Sequence, residues 1–104
     1  MDALARLDAD PRAIAAFCRR NGVNRLAVFG SALRDDFTPE SDVDLLVEFQ
    51  PGKKVSLFDM ARMEMELEKI IHDHRVDLRT LSDLSHRFRD RVVTEAEPVF
   101  EAAA

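Results

Sequence analysis

The chain has 104 residues, a length that suits one domain with one apolar core, so residues 1–104 are expected to fold as a single domain. Its 46% hydrophobic and 34% charged residues give a globular composition, and a net charge of −5 argues against nucleic acid as the main partner. No apolar run approaches the roughly 20 residues of a membrane span, and residues 1 to 20 lack the basic and apolar regions of a signal peptide. The single cysteine, Cys18, excludes an internal disulfide and suits a reducing cytoplasm.

Asp10 followed by Pro11 reads as an N-cap with proline in the first turn, opening a helix that runs to about Asn21-Gly22. Ile14, Phe17 and Cys18 fall on its apolar face, and Leu4 and Leu7 extend the stripe if the helix begins earlier. Leu26 to Phe29 is the first expected strand, Ser31 to about Asp35 a short helix, and Phe37 to Ser41 a loop containing Pro39. Val43 to Phe49 reads as the second strand, ended by the turn signal Gln50-Pro51-Gly52. Ser56 with Asp59 resembles a capping box and opens a helix to about His72. Val76 to Thr80 is the third strand, and a last helix starts near Ser82 or Ser85. The tail from Glu97 reads as a short fourth strand or a frayed helix end, and Pro98 permits either. This alternation predicts an α/β (or α+β) fold: a small mixed β-sheet with helices packed against it.

The chemistry concentrates in residues 30 to 44. Gly30-Ser31 ends one apolar run, and Asp42-Val43-Asp44 opens the next. Side chains of a strand alternate between faces, so Asp42 and Asp44 share one face while Val43, Leu45, Val47 and Phe49 take the other. The two carboxylates then lie roughly 6.5 Å apart along the backbone. They repel one another unless a cation sits between them, and hard divalent ions prefer oxygen ligands. Gly30 removes the side chain where backbone must approach a ligand, and Ser31 adds a hydroxyl and an N–H suited to phosphate oxygens. An ordinary turn followed by a solvated acidic loop would carry no chemistry. Here the acids are phased with a strand and the Gly-Ser pair stands at a strand end, where open α/β sheets bind ligands. A phosphate-cradling turn beside a carboxylate clamp points to nucleotide chemistry.

This arrangement resembles the Gly-Ser-x10-Asp-x-Asp signature of the DNA polymerase beta-like nucleotidyltransferase superfamily, and more narrowly a minimal nucleotidyltransferase (MNT), the antitoxin half of HEPN–MNT pairs. The resemblance runs from Phe29-Gly30-Ser31 through Phe49, continues at Val76-Asp77-Leu78 and ends near Phe100. It implies a third carboxylate at Asp77, which shares a strand face with Arg79 while Val76 and Leu78 take the other. Asp77 can join Asp42 and Asp44 only if its strand neighbours theirs. The resemblance implies two Mg²⁺ ions, which such chemistry holds about 3.5–4 Å apart so that attacking and leaving oxygens are both clamped. Asp42 and Asp44 would bind the ion that travels with the triphosphate. Asp77 would be the extra ligand of the other and the candidate general base. The competing account of Asp77 is a strand-edge charge paired with Arg79 or Arg75.

Arg34, a frequent family residue, would reach phosphate oxygens with its guanidinium fork, or else pair with Asp35 or Asp36. Leu33 and Asp35 depart from the small residue and glycine usual in the family. The implied reaction moves AMP from ATP to a hydroxyl, with a tyrosine of a HEPN ribonuclease toxin as acceptor. The chain itself has no tyrosine, so that modification must occur in trans, and 104 residues leave no room for a separate acceptor-binding domain. Two other readings stand beside it: a non-catalytic steric antitoxin, and a nucleotidyltransferase for a small hydroxylated molecule.

His72-Asp73-His74 lacks the Cys/His set of a closed zinc site and sits where a helix should end, which suits a structural role. Arg87, Arg89 and Arg91, near Arg75 and Arg79, form the basic concentration and could face solvent, an acidic partner or RNA. On the Ser56–His72 helix, Met60, Met63, Leu67, Ile70 and Ile71 make one apolar stripe, while Phe58, Ala61 and Met65 make a second. The second stripe is either core or a protein interface, for a HEPN partner or a homo-oligomer.

Overall fold

The computed structural model describes residues 3–33, 37–38, 40–72 and 74–102, apart from the side chains of Ala3 and Ser31. In chain order the elements are α1 (Ala3–Leu7), α2 (Pro11–Arg20), β1 (Val23–Phe29), a 3₁₀ turn (Gly30–Leu33), β2 (Val43–Phe49), α3 (Leu57–Ile70), β3 (Val76–Arg79), a second 3₁₀ turn (Leu81–Asp83), α4 (His86–Glu95) and β4 (Glu97–Glu101). The strands form one mixed sheet in the order β3-β2-β1-β4, with β1 antiparallel to β2 and β4, and β2 parallel to β3.

Local chemistry accounts for the element ends. The Asp10 carboxylate accepts from the Arg12 N–H at 2.9 Å and Pro11 occupies the first turn of α2. The stripe from Leu4 to Cys18 is divided between two helices, because Asp8 takes a left-handed φ of 53° that ends α1. Gly22, at φ 66°, turns α2 into β1, which begins three residues ahead of the expected Leu26. The capping box of α3 is complete: the Asp59 N–H donates to Ser56 Oγ at 3.1 Å, and the Ser56 N–H to Asp59 Oδ2 at 2.9 Å. These bonds hold the Asp59 carboxyl below the usual carboxylate range. The tail from Glu97 is the fourth strand. It lies at a sheet edge, the position at which a strand tolerates Pro98, with a register shift opposite Leu26 and Ala27.

The two sheet faces are packed unequally. One is covered by α1, α2 and α3 over a core that includes Ile14, Phe17, Cys18, Leu26, Val28, Leu45, Val47, Met63, Leu67 and Leu78. The other, which carries Asp44, is covered over a small patch of Phe29, Leu46, Leu84 and Val92. Helix α4 therefore lies on the aspartate face: Leu46 shares that face with Asp44 and is 2% exposed. On α3, Met63, Leu67 and Ile71 are buried as expected, whereas Phe58 is 88% and Met65 63% exposed, so the second stripe is surface and not core. Among the described residues no helix is long and apolar enough to cross a membrane.

Candidate active site

Three backbone features build the site. Antiparallel pairing sets Phe29, the last residue of β1, opposite Asp44 on β2. Parallel pairing sets Asp44 beside Asp77 on β3, so the two carboxylates are in register on neighbouring strands. Gly30 follows Phe29 with φ 72°, and a Cβ on it would overlap the Asp44 carboxylate. Glycine is required here twice over, for the left-handed backbone and for the space that the carboxylate fills.

Asp44 and Asp77 both line a cavity of about 460 Å³, walled also by Phe29, Gly30, Arg79, Asp83, Leu84, Ser85 and Phe88. Its far wall is the second 3₁₀ turn and the start of α4. That wall is tied down by Thr80, whose N–H and hydroxyl both donate to Asp83 Oδ2 at 3.0 Å, and by Arg89, which donates to the Leu81 carbonyl at 3.0 Å. Asp77 receives both arms of the Arg79 guanidinium, Nε on Oδ1 and Nη2 on Oδ2, each at 3.0 Å. This pair raises the Arg79 pKa, the hydrogen bond contributing more than the Coulombic attraction.

Asp42 stands one residue ahead of β2, exposed, and is not among the residues lining the cavity. The loop leading to it is held by His74, which stacks on Phe37 with ring centroids 5.2 Å apart and has Nδ1 3.2 Å from the Ser41 carbonyl. The Ser31 backbone lies in the 3₁₀ turn after Gly30; its side chain, and all of Arg34 and Asp35, are outside the described residues. His72 reaches the Asp8 carbonyl at 2.6 Å and clips α3 to the end of α1, so His72 and His74 serve separate local contacts. Part of the arginine cluster is used internally, Arg89 on carbonyls and Arg91 on Glu95 at 3.2 Å.

Sequence reasoning did not place Phe88, Leu84 and Asp83 at the site. A usable signal was present: Leu84, Phe88 and Val92 recur every four residues, and of these Leu84, just ahead of α4, and Val92 are buried against the sheet while Phe88 lines the cavity. The donor set suits a hard divalent cation, with carboxylate oxygens from two in-register strands and a glycine that leaves room beside one of them. Among the described residues, however, no three His, Cys, Asp or Glu side chains stand close enough together to hold one ion, Asp77 being turned to Arg79.

A mixed sheet that presents paired carboxylates beside a glycine turn, with a cavity of nucleotide size, defines a phosphoryl- or nucleotidyl-transferring class of fold. The chain matches the nucleotidyltransferase domain family over residues 11–99 and belongs to it. It is 38% identical over 88 residues to a Methanocaldococcus jannaschii protein provisionally named protein adenylyltransferase MJ0435, covering 85% of this chain and 91% of that one. A solved structure provisionally described as a minimal nucleotidyltransferase superposes with a TM-score of 0.72 at 39% identity, over 94% of this chain and 96% of that one. The fold is thus that of a minimal nucleotidyltransferase, and the chain is an enzyme of the nucleotidyltransferase class. The same fold recurs at 19% identity and a TM-score of 0.64 in an MNT antitoxin bound to a tri-AMPylated Shewanella oneidensis HEPN toxin, covering 97% of this chain and 74% of that one.

Proposed function

We propose that this single-domain enzyme moves AMP from ATP to a tyrosine hydroxyl of a HEPN-type toxin and thereby acts as its antitoxin in the cytoplasm. The observation that carries the reading is the in-register pair Asp44 and Asp77 at a cavity floored by Gly30. The acceptor oxygen attacks the α-phosphorus of ATP. The bond from that phosphorus to the bridging oxygen breaks, pyrophosphate leaves with the electron pair, and the hydroxyl proton passes to Asp77. Gly30 and Ser31 bring backbone N–H groups to the phosphates, and Arg34 is assigned to their outer oxygens. Mg²⁺, held by Asp42 and Asp44 with Asp77 as a further ligand, would neutralise the triphosphate and favour ionisation of the acceptor. Asp77 must leave Arg79 to act, which an ion pair with both side chains about half exposed permits at little cost.

With no tyrosine in the chain, the acceptor comes from the partner. Its docking surface is assigned to the exposed stripe Phe58, Ala61 and Met65 on α3, away from the sheet face that carries the aspartates.

The test is incubation of the purified protein with labelled ATP, Mg²⁺ and a HEPN-type toxin from the same source. Label on a toxin tyrosine, dependent on Asp44, is expected. A second reading, steric capping without transfer, draws on the Asp77–Arg79 pair. Toxin neutralised to the same extent by the Asp42→Asn/Asp44→Asn variant, with no label transferred by the parent, would establish capping and remove the catalytic reading.

A further inference from the structure

Strand β3 is four residues long and lies at the sheet edge, so one row of its backbone groups has no neighbouring strand. Successive N–H groups of a strand point to opposite sides, and those of Val76 and Leu78 turn outward, away from β2. Both are bonded to side chains. The Val76 N–H donates to Glu68 Oε2 at 3.0 Å and the Leu78 N–H to Glu64 Oε2 at 2.8 Å, both carboxylates projecting from α3.

The match is metrical. Residues four apart on a helix are separated by about 6.0 Å of rise, and residues two apart on a strand by about 6.6 Å. Two carboxylates one helical turn apart can therefore follow two outward N–H groups along an edge, provided helix and strand run antiparallel. They do, since Glu64 meets Leu78 and Glu68 meets Val76. Helix α3 thus supplies the acceptors that a fifth strand would have offered, in charge-assisted form.

Asp77 is the residue between the two anchored amides. Its neighbours Val76 and Leu78 are buried in the main core, while Asp77 faces the cavity. We infer that Glu64 and Glu68 are positioning residues: by holding β3 from its outer edge they set where the Asp77 carboxylate stands against Asp44. The inference rests on the proposed acceptor-side role of Asp77. It is distinct from docking at Phe58 and Met65, which occupy another face of the same helix.

The experiment compares Glu64→Ala/Glu68→Ala, Glu64→Gln/Glu68→Gln and Asp77→Asn with the parent, by amide exchange in the free protein and by transfer kinetics with the HEPN acceptor. In the alanine pair, exchange at Val76 and Leu78 should rise about 10-fold, that of β2 staying unchanged. Its kcat should fall about 10- to 100-fold with KM for ATP little altered, because Asp44 lies on β2 and Asp42 just ahead of it, away from the loosened edge. Glutamine keeps a carbonyl acceptor and should restore most of both. Unchanged exchange in the alanine pair would overturn the inference. So would faster exchange with full turnover, if Asp77→Asn has lost turnover. Parent-like turnover in Asp77→Asn would instead remove the catalytic reading of Asp77, and the positioning role with it, leaving exchange to report the edge contacts. Should the double variant not fold, the single alanine variants carry the same readouts at one amide each.

Discussion

The two faces of the sheet divide the work of the molecule. Beneath α1, α2 and α3 the face is continuously apolar, and Phe17, Leu26, Val28, Leu45, Val47 and Leu67 are almost wholly removed from water. Beneath α4 the apolar patch shrinks to Phe29, Leu46, Leu84 and Val92, and beside it lie two carboxylates and a cavity. Apolar area removed from water is the main stabilising term, so the first face holds the fold while the second can carry polar groups that contribute little to stability or oppose it. Gly30, Asp44 and Asp77 can accordingly be arranged for a ligand because the strands that present them are secured from behind.

Substitutions that strike one face only put this division to the test. The largest effect is expected from Asp42→Asn with Asp44→Asn, which should abolish transfer and nucleotide binding in the presence of a divalent cation. The melting temperature should stay level or rise slightly as like-charge repulsion is relieved. Full activity in that variant would end the catalytic assignment of the thin face.

Asp77→Asn should lower turnover by about 10²- to 10⁴-fold and leave ATP affinity mostly intact, the range expected for loss of a general base. Isothermal titration against a non-hydrolysable ATP analogue separates the two effects. An affinity that fell as steeply as the rate would make Asp77 a nucleotide ligand instead.

On the thick face, Phe17→Ala should cost about 3–5 kcal/mol of stability in denaturant unfolding, from lost burial and the cavity left behind. Leu84→Ala on the thin face, at a site that is 9% exposed and can relax into the neighbouring cavity, should cost less, about 2 kcal/mol. Equal costs would contradict the division.

A pH titration sharpens the same point. Burial against α2's neighbours pushes the Cys18 thiol from 9.0 to about 12. The unfolded chain ionises this thiol near pH 9.0 and the folded chain resists until about 12, so the contribution is fully present below pH 9.0 and is lost as pH rises towards 12. Unfolding midpoints of the parent should fall across that window, and those of Cys18→Ala should fall less. Thiol reagents at neutral pH should label Cys18 only after unfolding.

The smallest stability effect is expected on the outer surface of α3. Phe58→Ser with Met65→Ser should change unfolding free energy by no more than about 0.5 kcal/mol, since both side chains are exposed in the free chain. Toxin modification should drop while ATP binding persists. A large fall in thermal stability would mean that this surface belongs to the packing of the chain.

Much of this was legible in the one-dimensional pattern. Local rules operate over three or four residues, and so the Asp10-Pro11 start, the Ser56–Asp59 capping box, the span Val43–Phe49 and the turn after it could be read directly. The spacing from Gly30-Ser31 to Asp42 and Asp44 marked the candidate site because glycine freedom and strand alternation are also local properties. What the chain by itself left open were matters of pairing. Whether Asp77 meets Asp44 depends on β3 lying beside β2, which is decided by how α3 crosses the sheet and buries Met63, Leu67 and Ile71. Whether Glu97–Glu101 is strand or frayed helix depends on β1 offering an edge to it, and whether α4 covers the aspartate face depends on Leu46 and Phe29 needing burial there. Contacts between residues dozens of positions apart are selected by the shared burial of apolar surface, a property of the assembled whole that no short window of sequence contains.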